Sequence, residues 1–168
     1  MPQQFDRAAI DRVVSAIADE LEGDWLLVGG ALVALWLEPR RLTEDIDVIG
    51  KGPDSRLRLM ELMDRLGLPV EAVNSAADFF VHRIAGWERE TELFRQGARG
   101  RIMRPTATLF LLLKLRRLTE QDLDDCLMLL AKKPPFDAGR IRSELAALDR
   151  TDDEKLRERR EKLLETLD

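Results

Sequence analysis

Two aspartates in the stretch "DIDVI", Asp45 and Asp47, have the residue type and spacing that most directly suggest chemistry. They alternate with the β-branched residues Ile46 and Val48, which is the period of a β-strand, so both carboxylates project from one face, roughly 7 Å apart at their Cα atoms. Carboxylate pairs at this spacing can converge on one Mg²⁺, a hard cation that prefers oxygen ligands, or bridge a pair of ions about 3.5–4 Å apart. Because burying an unpaired carboxylate is costly, the pattern predicts a magnesium site at Asp45 and Asp47.

Upstream of the acids, the glycine pair Gly29 and Gly30 interrupts an apolar segment between an expected strand and an expected helix. A lone glycine pair is more often only a turn, but here missing side chains would let a phosphate reach the backbone and the helix-end N–H groups. Joined in this order, the turn and the acid pair predict nucleotidyl or phosphoryl transfer. Arg40, Arg41 and Thr43 lie between them as candidate phosphate or substrate contacts, although the two arginines could equally be a solvated loop pair.

The stretch "VGGALVALWLEPRRLTEDIDV" resembles the signature of the polymerase-β-like nucleotidyltransferase superfamily, a Gly-Gly or Gly-Ser turn followed by an Asp-x-Asp strand. Its part "RLTEDID" is similar to the AbiEii-like branch, which comprises bacterial nucleotidyltransferases and includes toxins of abortive-infection toxin–antitoxin systems. That branch has a downstream helical motif with a lysine and aspartates. The stretch "LLLKLRRLTEQDLDDCLML" resembles this motif, so the likeness runs from about Leu26 to Leu130.

The resemblance implies a role for each matching residue. Gly29 and Gly30 would form the triphosphate turn, with Lys114 as a further nucleotide contact, while Asp45 and Asp47 would be the catalytic Mg²⁺ ligands. Thr43 as a nucleotide contact and Arg41 as a supporting residue remain candidates from their position between the turn and the acids. Asp122 and Asp125 would complete or support the site, although an exposed helix start also favours acids there. Lys114 lies in an apolar helix, and a buried amine needs a partner.

Active members of the superfamily usually carry a third carboxylate on a later strand. Glu71 in "PVEAV" is the candidate for this catalytic role, and Glu90 and Glu92 are alternatives. Such an acid commonly serves as a metal ligand or as the base for the incoming hydroxyl. Its identity therefore decides between an enzyme and a degenerate domain.

The leading hypothesis is a Mg²⁺-dependent nucleotidyltransferase that moves NMP from an NTP to a hydroxyl on RNA, protein or a small molecule, within a toxin–antitoxin system. The acceptor would be a tRNA or a partner protein, and a cognate antitoxin or a second copy of the chain are candidate partners. Two alternatives stay open. One is a catalytically degenerate interaction or antitoxin module, and the other is an antibiotic-modifying nucleotidyltransferase.

Composition limits the other classes of protein. The 168 residues are 45% hydrophobic and 35% charged, and a net charge of −5 gives no global basic surface for nucleic acid. Cys126, the only cysteine, excludes an intrachain disulfide and a thiolate metal cluster. The sequence shows no signal-peptide pattern and no apolar run of the roughly 20 residues that a membrane span needs, so we expect a cytoplasmic protein with no membrane partner.

The elements that must position these residues form a mixed α/β, or α+β, pattern: a small mixed sheet flanked by helices in a nucleotidyltransferase fold, followed by a C-terminal helical bundle. We expect residues 1–104 to form the catalytic core and residues 105–168 to form a helical region packed on it. The expected helices of the core are 5–22, 31–37 and about 59–66, and its expected strands are 24–28, 45–49, 69–73 and a hairpin of 90–96 with 100–104. Residues 74–87 are ambiguous.

Beyond Pro105 the pattern is helical only. Helices are expected over 106–117, from Thr119 to Ala131, over 137–148 and over 152–167. Thr119 with Asp122, and Thr151 with Glu154, are predicted capping pairs for the second and fourth of them.

Overall fold

The computed structural model describes residues 3–148 and 150–168. The chain forms two compact units, one that ends at Pro105 and one that comprises Thr106–Asp168. No helix within these described ranges is long and apolar enough to cross a membrane.

A five-stranded mixed sheet forms the centre of the first unit, in the order β3-β2-β1-β5-β4. Strand β1 lies in the middle, where it pairs antiparallel with β2 and parallel with β5. The outer pairs are β2 with β3, which is parallel, and β5 with β4, which is antiparallel. The five strands are β1 Gly23–Val28, β2 Ile46–Gly50, β3 Val73–Asn74, β4 Thr91–Gln96 and β5 Gly100–Pro105.

Helices flank this sheet and confirm the predicted mixed α/β class. The helices of the first unit are α1 Arg7–Glu20, α2 Gly29–Trp36, α3 Ser55–Arg65 and α4 Ala77–Val81. One face of the sheet packs against α1 and α3: Arg95 of β4 reaches Asp11 and Ser15 of α1, and the Trp25 ring of β1 lies under Arg58 of α3. This face is the hydrophobic core of the unit.

Several helix boundaries of the first unit differ from the sequence-based expectation, and α3, expected from about residue 59, begins at Ser55. Helix α1 begins at Arg7 because the Asp6 side chain accepts a hydrogen bond from the Ala9 N–H at 2.8 Å, and this caps the helix. Phe5, expected inside the helix, instead forms an isolated β-bridge with Thr43. Helix α2 starts at Gly29, so the glycine pair is the first part of the helix and does not precede it.

The expected strand over residues 69–73 is wrong for most of its length. A short 3-10 helix occupies Val70–Ala72, and only Val73–Asn74 pair with β2. The residue types in "PVEAV" are compatible with either a 3-10 helix or a strand, and pairing with β2 decides how much of the segment is extended. The ambiguous segment that follows contains α4 and a second 3-10 helix at Trp87–Arg89.

The second unit consists of four helices within its described residues: α5 Ala107–Leu115, α6 Glu120–Ala131, α7 Ala138–Ala147 and α8 Glu154–Thr166. The predicted capping box of Thr119 and Asp122 is present at the start of α6. The predicted pair at α8 is wrong, because Asp153 caps that helix by accepting a hydrogen bond from the Leu156 N–H at 3.1 Å. Arg160 of α8 is buried and donates hydrogen bonds to the carbonyls of Leu148 and Arg116.

Candidate functional site

The two aspartates lie at one end of β2. Asp47 is the second residue of the strand and faces Val28, the last residue of β1, in the antiparallel register. Asp45 comes directly before the strand, and both residues are partly exposed. Ile46 and Val48 are fully buried, so their packing fixes which face the intervening acid occupies.

The glycine turn touches this end of β2 directly. Gly29 follows Val28 and has a φ of +70°, which L side chains rarely adopt. A Cβ atom added to Gly29 would lie 2.2 Å from Oδ2 of Asp47. Any side chain at this position would therefore collide with the acid, so the backbone at Gly29 and the Asp47 carboxylate form one continuous surface.

The loop before β2 completes the same surface. A Cβ atom added to Gly30 would lie 2.9 Å from Oγ1 of Thr43 and 4.0 Å from Nε of Arg41. The Thr43 hydroxyl donates a hydrogen bond of 2.9 Å to the Asp45 carbonyl, and its backbone is held by the bridge to Phe5. Six predicted residues are thus brought together at one place: Gly29, Gly30, Arg41, Thr43, Asp45 and Asp47.

One residue of this site was missed by the sequence reasoning. The side-chain amide of Asn74 donates a hydrogen bond to Oδ2 of Asp45 at 3.3 Å, and Asn74 lies opposite Asp47 in the β2–β3 register. A signal did exist, because Asn74 is the only asparagine in the chain and follows a predicted strand. The uncertain assignment of the segment from Asn74 onward concealed it.

The three candidates for a third carboxylate occupy other surroundings. Glu71 is exposed and lies in the 3-10 helix, three residues before the position that pairs with Asp47. Glu90 ends the second 3-10 helix, and Glu92 forms an ion pair with Arg104 at 2.7 Å. Within residues 3–148 and 150–168, no group of three or more His, Cys, Asp or Glu side chains is arranged to hold a metal ion.

The donor set of the acid pair still fits one hard cation. Two aspartates two residues apart supply carboxylate oxygens, and Mg²⁺ commonly binds one or two protein carboxylates while it keeps waters and phosphate oxygens as its other ligands. The Oδ2 atom of Asp47 lies against the Gly29 backbone, so this carboxylate is held beside the start of α2. Asp45 and Asp47 are therefore the residues that would hold Mg²⁺.

A cavity of about 290 Å³ opens on the sheet face that carries Asp47. Ile49 lines it, and this residue lies two positions after Asp47 and hence on the same face of β2. Leu26 and Met103, cross-strand neighbours on β1 and β5, also line it, together with Trp87 and Thr91. The cavity thus begins about 7 Å along β2 from the acid site.

Three further predicted residues, Lys114, Asp122 and Asp125, contact one another in the second unit and form the Lys114 cluster. The Lys114 amine of α5 donates hydrogen bonds to Asp122 at 3.0 Å and to Asp125 at 2.9 Å, both on α6. Arg117 donates to Asp122 at 3.1 Å, and the Thr119 N–H does so at the same distance. The expectation that the buried Lys114 needs a partner is confirmed, and these partners join α5 to α6.

The charges in this cluster shift two pKa values. Burial alone raises the pKa of the Asp122 carboxyl, but the Arg117 hydrogen bond and the charge and hydrogen bond of Lys114 outweigh burial and lower it to about 2. Burial lowers the pKa of Lys114, but the Asp125 and Asp122 carboxylates raise it by more. The Asp122 carboxyl and the Lys114 amine are therefore both charged at neutral pH.

Comparison with known protein families matches residues 12–105 to the family described as "Nucleotidyl transferase AbiEii toxin, Type IV TA system". The matched segment covers more than half of the 168 residues and includes the glycine turn, both aspartates and Asn74. The chain belongs to the AbiEii family. Within this AbiEii chain, the Lys114 cluster lies beyond the matched segment. No curated protein and no solved structure gives a significant match.

The contact between the turn and the acid can be tested with a matched pair of glycines. Gly29→Ala should lower the free energy of unfolding by about 1–3 kcal/mol more than Gly67→Ala. Both glycines have nearly the same φ, +70° and +68°, but an added Cβ meets nothing within 4 Å at Gly67. The two variants thus share the backbone strain and differ in the collision with Asp47. Urea denaturation measures the difference.

A double-mutant cycle sharpens this test. Asp47→Ala should relieve most of the excess cost of Gly29→Ala and leave the cost of Gly67→Ala unchanged. Additive effects of Gly29→Ala and Asp47→Ala would contradict the close contact.

The Lys114 cluster predicts a pH-dependent stability. The folded-state pKa of Asp122 is about 2 against an ordinary 3.8, so its ionised form stabilises the fold above about pH 4 by about 2 kcal/mol, and this contribution is lost as the pH falls toward 2. Asp122→Asn should therefore destabilise the AbiEii chain at pH 7 and differ less from wild type at pH 3. The control is Asp124→Asn, an exposed acid on the same helix. A difference independent of pH in urea denaturation would refute the assignment.

Proposed function

We propose that this AbiEii-family chain is a Mg²⁺-dependent nucleotidyltransferase that moves NMP from an NTP to a hydroxyl acceptor and releases pyrophosphate. The observation that carries the proposal is the closeness of the turn to the acid, where a Cβ on Gly29 would lie 2.2 Å from the Asp47 carboxylate. A phosphate bound at this turn would necessarily be next to Asp47. The family description supports the same general activity.

The turn offers the triphosphate backbone N–H groups. Helix α2 begins at Gly29, so the first N–H groups of the helix, at the glycine pair, have no hydrogen-bond partner within the helix. The missing side chains at Gly29 and Gly30 let phosphate oxygens approach these groups. Arg41, whose Nε is 4.0 Å from the Cβ position of Gly30, is placed to add a positive charge.

Asp45 and Asp47 would hold Mg²⁺ beside this phosphate site. When bound, the cation would supply charge neutralisation and polarisation of the α-phosphate. In the reaction the acceptor oxygen forms a bond to the α-phosphorus while the bond from that phosphorus to the bridging oxygen of the β-phosphate breaks. Pyrophosphate leaves with the electron pair, and the hydroxyl proton passes to a carboxylate of the site or to water.

The cavity beside Ile49 would hold the nucleoside of the NTP. It lies on the same face of the sheet as Asp47, and its volume of about 290 Å³ is at the lower end of the usual range for small-molecule pockets. Leu26 and Trp87 give it apolar walls. Its polar lining includes Lys51 and Thr91 and the three acids Asp24, Asp78 and Glu88. Apolar walls combined with polar groups suit a flat, edge-polar nucleobase.

The family description supports a proposal for the biological partners, and the acceptor class is our own proposal. We propose that the acceptor is a hydroxyl group on one of three kinds of molecule: an RNA, with tRNA as one candidate, a partner protein or a small molecule. The family description makes a cognate antitoxin the expected partner, and the proposed setting is the bacterial cytoplasm.

A second function has one observation in its favour. The position opposite Asp47 on β3 is the amide Asn74, and Glu71 lies outside that strand pairing. A nucleotidyltransferase-like domain that binds a partner without catalysis would tolerate this arrangement. The experiment below distinguishes the two functions.

Exchange of both aspartates for asparagine should abolish transfer. Asp45→Asn with Asp47→Asn removes the charges that would hold the cation, so incorporation of label from α-³²P-NTP into a cell extract should fall by at least about 10³-fold. The control is Asp64→Asn, an exposed acid on α3. Unchanged labelling by the double variant would refute the enzyme, and absence of labelling by the wild type, with no Mg²⁺-NTP binding in calorimetry, would favour the binding module.

Filling the cavity should weaken nucleotide binding without affecting the cation. Thr91→Trp places a large ring in the cavity and should raise KM for the NTP roughly tenfold or more, with Mg²⁺ affinity unchanged. Leu93→Trp is the control, because Leu93 lies two residues along the same strand, is exposed and does not line the cavity. An unchanged KM in Thr91→Trp would place the nucleoside elsewhere.

A further inference from the structure

Asn74 is held by two hydrogen bonds that fix the orientation of its side-chain amide. Oδ1 accepts a hydrogen bond from the Ala76 N–H at 2.7 Å, and Nδ2 donates to Oδ2 of Asp45 at 3.3 Å. A backbone N–H can only donate, so the oxygen must face Ala76 and the NH₂ group must face the acid. The local chain therefore presents a donor to Asp45.

Asn74 is also next to the second acid. The parallel register of β2 and β3 places Asn74 opposite Asp47, and β3 ends at Asn74. The residue thus lies beside both carboxylates of the site, and it is partly buried.

The charge of residue 74 decides whether it attracts or repels the acid pair when no cation is bound. As an amide, Asn74 attracts the Asp45 carboxylate and adds no charge. An aspartate with the same geometry would still accept the Ala76 N–H on one oxygen, but its other oxygen would face Asp45 at hydrogen-bond distance as a like charge. Three carboxylates would then repel one another until cations bound between them.

We propose that Asn74 is a positioning residue that orients Asp45 and, by withholding a third carboxylate, limits the acid pair to one divalent cation in the absence of nucleotide. This inference rests on the proposed role of Asp45 and Asp47 as cation ligands. It assigns a role in the cation site to Asn74, although the amide side chain of this residue carries no charge. The amide holds Oδ2 of Asp45 toward β3, at the residue that pairs with Asp47.

Cation counting on the full-length chain tests the role. The chain is titrated with Mn²⁺ alone, and electron paramagnetic resonance measures the concentration of unbound Mn²⁺. The wild-type chain should bind one ion. Asn74→Asp should bind a second ion or bind Mg²⁺ at least about tenfold more tightly in calorimetry, because ligand charge raises cation affinity. Asn74→Ala should keep one ion but bind it roughly tenfold more weakly, because the acid loses its supporting hydrogen bond.

Thermal unfolding gives a second readout that a merely structural role would not produce. Without cation, the melting temperature of Asn74→Asp should be lower than that of wild type by roughly 2–8 °C, and addition of Mg²⁺ should raise it by more than it raises that of wild type. The melting temperature of Asn74→Ala should also be lower, but Mg²⁺ should not raise it by more than it raises that of wild type. Gln121→Glu, an exposed position on α6, adds the same charge elsewhere and should change neither quantity.

The outcomes separate this role from the proposed function. The role of Asn74 would be overturned if the wild type bound two ions, or if wild type, Asn74→Asp and Asn74→Ala bound cation equally. NTP-dependent labelling by the wild type would then leave the proposed transferase activity standing. Conversely, the expected cation pattern without any NTP-dependent labelling would overturn the transferase and leave the role of Asn74 standing.

Discussion

The close approach of the Gly29 backbone to the Asp47 carboxylate is the constraint on which the rest of the site depends. It requires a residue without a Cβ atom at the end of β1, a φ of +70° at that residue, and a helix that begins there. It also requires β2 to pair with β1 so that Asp47 lies opposite Val28. Each requirement restricts a different level of structure, and together they bring the glycine pair at the start of α2 beside the two acids.

The second unit shows a different use of buried charge. The Lys114 amine lies at hydrogen-bond distances of 3.0 and 2.9 Å from Asp122 and Asp125, whereas Asp45 and Asp47 remain partly exposed at the end of a strand. Buried ions need partners from the protein itself, and these three have them. A partly exposed acid pair can instead take its counter-charge from solution, which is the property expected of a cation site.

Local patterns predicted much of this structure. The strand at Trp25, the hairpin of β4 and β5 and the capping box of Thr119 each depend on neighbouring residues, and each was confirmed. The segment from Pro69 to Trp87 was predicted poorly, because β3 contains only two residues and its extension depends on pairing with β2. Asp153 displaced Thr151 as the cap of α8, since both side chains can cap and the chain geometry selects one.

The sequence by itself determined the acid pair, the glycine turn and the family, because residue type and spacing along the chain carry that information. Only the tertiary structure decided which third residue stands beside the acids. Asn74 reaches Asp45 across 29 positions of chain through the parallel pairing of β3 with β2, and no local pattern encodes that register. Likewise, the partners of Lys114 lie on a separate helix and become apparent only when α5 packs against α6.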